Sequence, residues 1–143
     1  HLASTLGTHQ KNYYPAQDAI DNEHTLPNFM MLIYPVISMK KGITHDGSRN
    51  KLLGKEPANE LIDQFSNETR VTKKTPPTFL IHSGNDKTVP VENSLLIYRA
   101  LVRHNVKTTM HIYPKGGHGY GLGISNNDAP DWTQHGELWL EAL

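Results

Sequence analysis

The 143-residue sequence has no cysteine, which excludes a disulfide bond, a zinc site built on thiolates and a cysteine nucleophile. It also has no excess of charge, because 14 basic residues balance 14 acidic ones. A chain balanced in this way lacks the basic surface with which proteins bind nucleic acid or anionic membranes. The longest apolar run, from Phe29 to Pro35, is far shorter than the ~20 residues that span a bilayer. The sequence therefore predicts a globular domain without nucleic-acid partners or a membrane span.

The first residues are His1 to Leu6, and they include no initiator methionine, no basic segment and no apolar signal-peptide core. We expect that further sequence precedes them. Small and apolar residues at helical spacing, ending at Gly7, predict the last part of a helix. The polar stretch from Thr8 to Pro27 is typical of a connection.

Three short segments have the pattern of β-strands. The unbroken apolar run Phe29–Tyr34 is typical of a strand buried on both faces of a parallel sheet, and Thr78–His82 is predicted to be a second buried strand. The segment Thr108–Tyr113 alternates between apolar and polar residues, as a more peripheral strand does. Ser38 to Lys51 is rich in lysine, glycine and polar residues, and we interpret it as a flexible surface excursion.

Helical patterns lie between and after these strands. The segment Pro57–Ser66 predicts a short helix, and a C-terminal helix is expected over Asp131–Leu143, with Trp132 and Trp139 as core residues rather than a sugar platform. A longer helix follows Pro90, and its predicted apolar face carries Val91, Leu95, Tyr98 and Val102. The residues predicted to face away are Glu92, Asn93, Arg99 and Arg103. Alternating strands and helices predict an α/β fold, with a mainly parallel sheet flanked by helices.

Two ionisable residues follow strands at the edge where parallel sheets gather their functional groups. Asp86 comes four residues after the second predicted strand, and His118 comes five residues after the third, in the glycine-rich loop Lys115–Gly123. Glycines beside His118 leave its ring free to reach a cleft. An aspartate that accepts the Nδ1 proton of a histidine prepares Nε2 to act as a base. The pair therefore predicts two members of a nucleophile, base and acid triad.

Simpler interpretations of these residues remain open. Asp86 could serve only as a turn residue or helix cap, and His118 could belong to a plain loop or a phosphate-binding turn. We expect His82 to be a buried core histidine and His111 to be structural or solvent-facing. Tyr120 is a weaker candidate for lining the site. A zinc site formed by His111, His118 and Asp86 lacks the short histidine spacings of known motifs, so neither a metal nor a cofactor is predicted.

Two segments of this sequence resemble a known family. They are Thr75–Ser94, which reads TPPTFLIHSGNDKTVPVENS, and Tyr113–Gly123, which reads YPKGGHGYGLG. Both resemble the C-terminal half of α/β-hydrolase esterases of the acetyl esterase and acetylxylan esterase type. The first residues, HLASTLGTH, resemble the helix that follows the nucleophile of these enzymes. The resemblance implies an α/β-hydrolase fold and a serine-dependent ester hydrolase in which Asp86 is the acid and His118 the base.

The sequence departs from this family in one respect, because residues 1–143 contain no Gly-x-Ser-x-Gly motif. The nearest string, Gly123–Asn127, lacks the second glycine and follows His118 in the chain. Three other serines also have the wrong neighbours: Ser4, Ser83 and Ser94. The resemblance thus implies that residues 1–143 are the C-terminal part of a single α/β-hydrolase domain, with the nucleophile, the oxyanion hole and the first strands upstream of His1.

A sheet divided at this point would expose an unpaired strand edge and an apolar helix face. We therefore expect a companion N-terminal polypeptide or a homo-oligomer to cover them. The implied substrate is a small ester, such as an acetyl group on a carbohydrate. Two alternatives remain. The strand, Asp86, Val-Pro and helix order also resembles a prolyl-oligopeptidase-like serine peptidase, and the chain could be a non-catalytic derivative of a hydrolase.

Overall fold

A computed structural model describes residues 1–9, 14–122 and 131–143 of the chain. The sheet of this part has three parallel strands, β1 (Met30–Ile33), β2 (Thr78–Ser83) and β3 (Thr108–Tyr113). Their order is β1-β2-β3, so β2 lies at the centre. Thr78 is opposite Met30 on one side and Thr108 on the other. The three predicted strands and their parallel arrangement are confirmed.

The described residues form five helices and two short 3₁₀ turns, which precede, connect or follow the strands. The helices are α1 (Leu2–Thr8), α2 (Asp46–Leu53), α3 (Asn59–Phe65), α4 (Glu92–Arg103) and α5 (Thr133–Glu141). The 3₁₀ turns span Ile20–Asn22 and Asn67–Thr69. The predicted α/β fold is confirmed. No helix within the described ranges has the length and apolar character needed to cross a membrane.

The core consists of two apolar clusters, both of which include residues of β2. One cluster contains Leu80 of β2 together with Ile97 and Leu101 of α4. The other contains Phe79 and Ile81 of β2 together with Trp139 of α5. Alternate β2 residues enter different clusters and all six are buried, as expected for the central strand of a parallel sheet covered on both faces. Trp132 also packs against the second cluster, so the prediction that both tryptophans belong to the core is confirmed.

The prediction of a flexible surface excursion over Ser38–Lys51 is wrong. Ser38 and Met39 are completely buried, and α2 occupies the second half of the segment. Few apolar residues mark this helix, because its buried residue is Arg49, whose Nε donates a hydrogen bond of 3.0 Å to the Met39 carbonyl. Hydrogen bonds rather than apolar burial hold the segment in place.

The predicted apolar face of α4 is also wrong. The buried residues of this helix are Asn93, Ser94, Ile97 and Leu101, whereas Leu95 and Val102 are substantially exposed. Asn93 is buried because Oδ1 accepts the amides of Ile37 at 2.9 Å and Ser38 at 3.0 Å. Its Nδ2 donates to the carbonyls of Ile43 at 2.7 Å and Pro90 at 3.0 Å. Four hydrogen bonds to the backbone thus rotate the helix so that this polar residue faces inward.

Replacing Asn93 by alanine should lower the free energy of unfolding of the full-length protein by about 3 kcal/mol, because buried amides and carbonyls would lose their partners. Urea denaturation measures this change. Asn50→Ala is the matched control, since Asn50 is exposed on α2 and its replacement should change stability by less than about 0.5 kcal/mol. Equal stabilities of the two variants would contradict the role given to Asn93.

Candidate active site

The candidate site lies where the three strands end at the same edge of the sheet. β1 is followed directly by Tyr34, β2 by the turn that carries Asp86, and β3 by the glycine-rich loop that carries His118. The carboxyl ends of parallel strands meet at one edge, so residues far apart in the sequence converge there. The structure brings the two predicted residues, Asp86 and His118, into contact.

His118 Nδ1 lies 2.7 Å from Asp86 Oδ2. Because an ionised carboxylate only accepts hydrogen bonds, Nδ1 is the donor and the lone pair of the neutral ring lies on Nε2. The Asp86 side chain is completely buried, whereas 31% of the His118 side chain is exposed. Within the described ranges, Nε2 of His118 has no hydrogen-bond partner. The pair therefore presents a free basic nitrogen at the surface, backed by a buried carboxylate.

The carboxylate of Asp86 is fixed through its second oxygen. Oδ1 accepts the backbone amides of Thr88 and Val89, both at 2.9 Å. Burial alone would raise the pKa of Asp86, but the Val89 amide, His118 and the Thr88 amide outweigh it and lower the pKa below 3.8. Asp86 thus closes the turn through Oδ1 and binds the His118 imidazole through Oδ2. The interpretation of Asp86 as a turn residue is therefore compatible with its contact to His118.

His82 lies completely buried beneath this turn, as the sequence predicts. Its Nε2 is 2.9 Å from the carbonyl of Val89, so Nε2 carries the proton and Nδ1 accepts from the Ser94 hydroxyl at 2.8 Å. Nε2 is also 3.3 Å from Asp86 Oδ2. Burial lowers the pKa of His82 below 6.5 and favours its neutral form. The contact with Asp86 is not predicted from the sequence, because His82 there reads only as a strand-end residue.

The glycine-rich loop is pinned to the end of β2. The Gly117 amide donates to Asn85 Oδ1 at 2.9 Å, and the Ser83 hydroxyl donates to the Lys115 carbonyl at 3.2 Å. Gly116 has φ +139°, and a Cβ at this position would lie 2.4 Å from Ser83 Oγ. Only glycine allows this close approach, which places His118 beside Asp86. Sequence reasoning missed Asn85, although it stands beside Asp86 in the same turn.

The end of the predicted loop at Gly123 and the string Gly123–Asn127 lie outside the described residues.

Tyr34 is a second residue that sequence reasoning missed. Its ring meets the His118 ring edge-on, with centroids 4.8 Å apart and an interplanar angle of 61°. It meets Tyr120 in the same way at 4.8 Å and 77°. Tyr34 has φ +39°, a conformation that is rare for residues other than glycine and that accumulates at functional sites. Its position directly after β1 is the sequence signal that could have identified it.

Tyr120 belongs to the glycine-rich loop and packs against Tyr34 beside the site. Its hydroxyl oxygen is buried, and within the described ranges it has no hydrogen-bond partner. Burial raises the pKa of Tyr120 to about 12, so its phenol stays protonated near neutral pH. The residue therefore acts on the site by packing against Tyr34 rather than as a base.

His111 does not join Asp86 and His118. It stacks on His135 of α5, with ring centroids 4.6 Å apart, and lies 5.5 Å from the ring of Phe79. Among the described residues, no group of three or more histidine and carboxylate side chains is arranged to hold a metal ion. The three residues considered as zinc ligands are thus not brought together.

A parallel sheet that carries an aspartate–histidine pair at its carboxyl edge defines an α/β-hydrolase-like domain. A solved structure supports this class: an acetyl ester-xyloside bifunctional hydrolase from Caldicellulosiruptor lactoaceticus is 41% identical, with a TM-score of 0.92. The match covers 99% of this chain and 52% of that one. The family model described as the prolyl oligopeptidase family matches residues 28–143, and the chain belongs to this family.

Two curated proteins are also similar to this chain. An acetylxylan esterase from Xylanibacter ruminicola is 40% identical over 121 residues, which are 82% of this chain and 25% of the relative. A protein named endo-1,4-beta-xylanase B from Butyrivibrio fibrisolvens is 31% identical over 141 residues, which are 99% of this chain and 22% of the relative. The chain thus spans about a quarter of these relatives and about half of the solved structure.

The buried neutral His82 should make stability depend on pH. Its pKa is lowered from 6.5, so the unfolded chain binds more protons and stability falls as the pH drops through 6.5. The Asp86 contribution is lost only below 3.8, because the pKa of that carboxyl is also lowered. We therefore expect His82→Gln to make the unfolding free energy less steeply pH-dependent between about pH 7 and about pH 5. Urea titrations of both proteins across this range measure it, and equal slopes would contradict it.

Proposed function

We propose that this chain supplies the acid and the base of a Ser-His-Asp triad in an ester hydrolase. The observation that carries the proposal is the Asp86–His118 contact of 2.7 Å, which leaves Nε2 free beside solvent. The names of the relatives, an acetylxylan esterase and an acetyl ester-xyloside hydrolase, support an ester as the substrate. Fold and family alone would support many reactions, so the geometry of the pair is the stronger argument.

In the proposed reaction, His118 Nε2 takes the proton of a serine hydroxyl while the serine oxygen attacks the ester carbonyl. The imidazolium that forms is stabilised by the ionised Asp86, whose pKa is lowered and which remains a carboxylate. Nε2 then gives the proton to the departing alcohol, and an acyl-serine remains. Water, deprotonated by the same nitrogen, hydrolyses the acyl-serine and releases the acid.

We propose that the nucleophilic serine belongs to a part of the protein outside these 143 residues. The hydroxyls of three serines considered above are engaged elsewhere: Ser4 donates to the His1 carbonyl, Ser83 to the Lys115 carbonyl and Ser94 to His82. One edge of β1 has no strand partner in the described part of the chain, although two of its four residues are almost completely buried. Both observations support further strands of the same domain beside β1, supplied in the same chain, by a companion polypeptide or by another copy.

The acyl group that best fits the comparisons is acetyl, attached to a carbohydrate such as a xyloside. A second candidate is peptide hydrolysis, because the matching family model is described as the prolyl oligopeptidase family. The same acid and base would serve either reaction. The two candidates are separated by comparing kcat/KM of the full-length protein for p-nitrophenyl acetate or acetylated xylan with that for a prolyl p-nitroanilide.

The first test replaces the two proposed catalytic residues in the full-length protein. His118→Ala and Asp86→Asn should each lower kcat for p-nitrophenyl acetate by roughly 10³–10⁴, because the base is lost or left in the wrong tautomer. His104→Gln is the matched control, since His104 is an exposed histidine beyond α4 and should leave the rate unchanged. Circular dichroism checks that each variant is folded. Rates that survive both substitutions would refute the assignment.

The second test addresses Tyr34, whose ring packs edge-on against the His118 ring. Its proposed role is to orient His118 rather than to transfer a proton. Tyr34→Phe keeps the ring and should retain kcat within about twofold, whereas Tyr34→Ala removes the edge-on contact and should lower kcat roughly tenfold. Because the effect acts through the orientation of His118, KM should change little. A Phe variant as slow as the Ala variant would show that the hydroxyl, and not the ring, matters.

A further inference from the structure

A cavity lies between α2 and α3, and none of its lining residues belongs to the Asp86–His118 pair. Its volume is about 660 Å³, within the range of small-molecule sites. The charged side chains that line it are four basic ones and two acidic ones: Lys40, Lys41, Arg49, Lys55, Glu56 and Asp63. A surplus of basic groups around a concave space of this size favours an anionic occupant.

Arg49 distinguishes this cavity from a patch of surface lysines. The residue is only 4% exposed, and Nε is occupied by the Met39 carbonyl at 3.0 Å. Neither terminal nitrogen of the guanidinium has a hydrogen-bond acceptor among the described residues, and neither is completely enclosed, so solvent or a ligand in the cavity satisfies them. A largely buried cation is costly unless it is paired, which favours an anionic occupant. The terminal nitrogens of Arg49 are the donors left to face the cavity.

The acidic residues of the cavity do not neutralise all of its cations. Lys40 lies 3.8 Å from Asp63 and also 3.8 Å from Glu68, so it is already paired. Lys41 and Lys55 form no ion pair with any carboxylate in the described ranges. Arg49, Lys41 and Lys55 thus remain available to an added negative charge.

We propose that this cavity binds the oxyanion group of a small ligand, a carboxylate or a phosphate, on the terminal nitrogens of Arg49. A guanidinium grips such a group with two parallel N–H donors, and the lysines add attraction without fixed geometry. The cavity exceeds the volume of one oxyanion, so the ligand carries further atoms, such as those of an acidic or phosphorylated sugar. The proposal does not depend on the proposed hydrolysis, because it uses none of the residues of the Asp86–His118 pair.

Isothermal titration calorimetry on the full-length protein tests this with four probes: glucuronate, glucose 6-phosphate, inorganic phosphate and glucose. We expect saturable binding of at least one anionic probe, weaker at higher salt, and no binding of glucose. Binding of glucuronate alone identifies a carboxylate ligand, and binding of the phosphates alone identifies a phosphate ligand. No binding of any anionic probe would overturn the proposal.

Variants locate the binding in this cavity. Lys41→Gln combined with Lys55→Gln should weaken the affinity roughly tenfold, because two charges near the ligand are removed. The matched control combines Lys73→Gln with Lys74→Gln, two exposed lysines that do not line the cavity, and should bind as the unmodified protein does. Asp63→Asn should tighten binding, since it removes a negative charge from the lining of the cavity.

Arg49→Lys keeps a positive charge but loses the two-pronged geometry, so it should also weaken binding at least tenfold. His118→Ala should bind the anion normally, which separates this proposal from the proposed hydrolysis. If the Lys41 and Lys55 double variant binds as tightly as the Lys73 and Lys74 control, the anion sits elsewhere and the proposal is wrong.

Discussion

The carboxylate of Asp86 holds the carboxyl edge of the sheet together. One oxygen closes the turn after β2 by accepting the amides of Thr88 and Val89, and the other faces the nitrogens of His118 and His82. A buried carboxylate is costly unless it is surrounded by donors, and the three N–H groups that donate to Asp86 come from the turn after β2 and from the loop after β3. Because the buried carboxylate needs His118 as one of its donors, it also fixes the position of the His118 ring.

A second dependence runs along the segment after β1. Tyr34 contacts His118, and the next residues are held by Asn93 of α4, which accepts the amides of Ile37 and Ser38. The carbonyl of Met39 then accepts a hydrogen bond from Arg49 of α2. The strained backbone of Tyr34, at φ +39°, is thus supported on its C-terminal side by buried polar side chains as well as by the apolar packing of Ile37. Polar burial in α4 and α2 is what allows an aromatic ring to sit against the imidazole.

Sequence reasoning located the strands, most of the helices and the Asp86–His118 pair, because hydrophobic periodicity and strand-end position are local signals. The sequence-based predictions are wrong for the segments whose buried residues are polar. Asn93 and Arg49 look like surface residues in a sequence, yet each is buried by hydrogen bonds to the backbone of residues 37–43, which pattern analysis cannot anticipate. Tyr34 and Asn85 were missed for a different reason. Both stand at strand ends like Asp86, but a tyrosine that ends an apolar strand is typical of core packing, and an asparagine in a turn is typical of the turn itself.

The neutral state of His82 bears directly on whether Asp86 can serve His118. Both histidines lie close to Asp86 Oδ2, with His82 Nε2 at 3.3 Å and the donating His118 Nδ1 at 2.7 Å. A charged His82 would form its own ion pair with Asp86 and weaken the carboxylate's support of an imidazolium at His118. Burial prevents this by lowering the pKa of His82, and the Val89 carbonyl fixes its proton on Nε2. His82 therefore remains a neutral neighbour of Asp86, and the charge that develops during the proposed reaction falls on His118 alone.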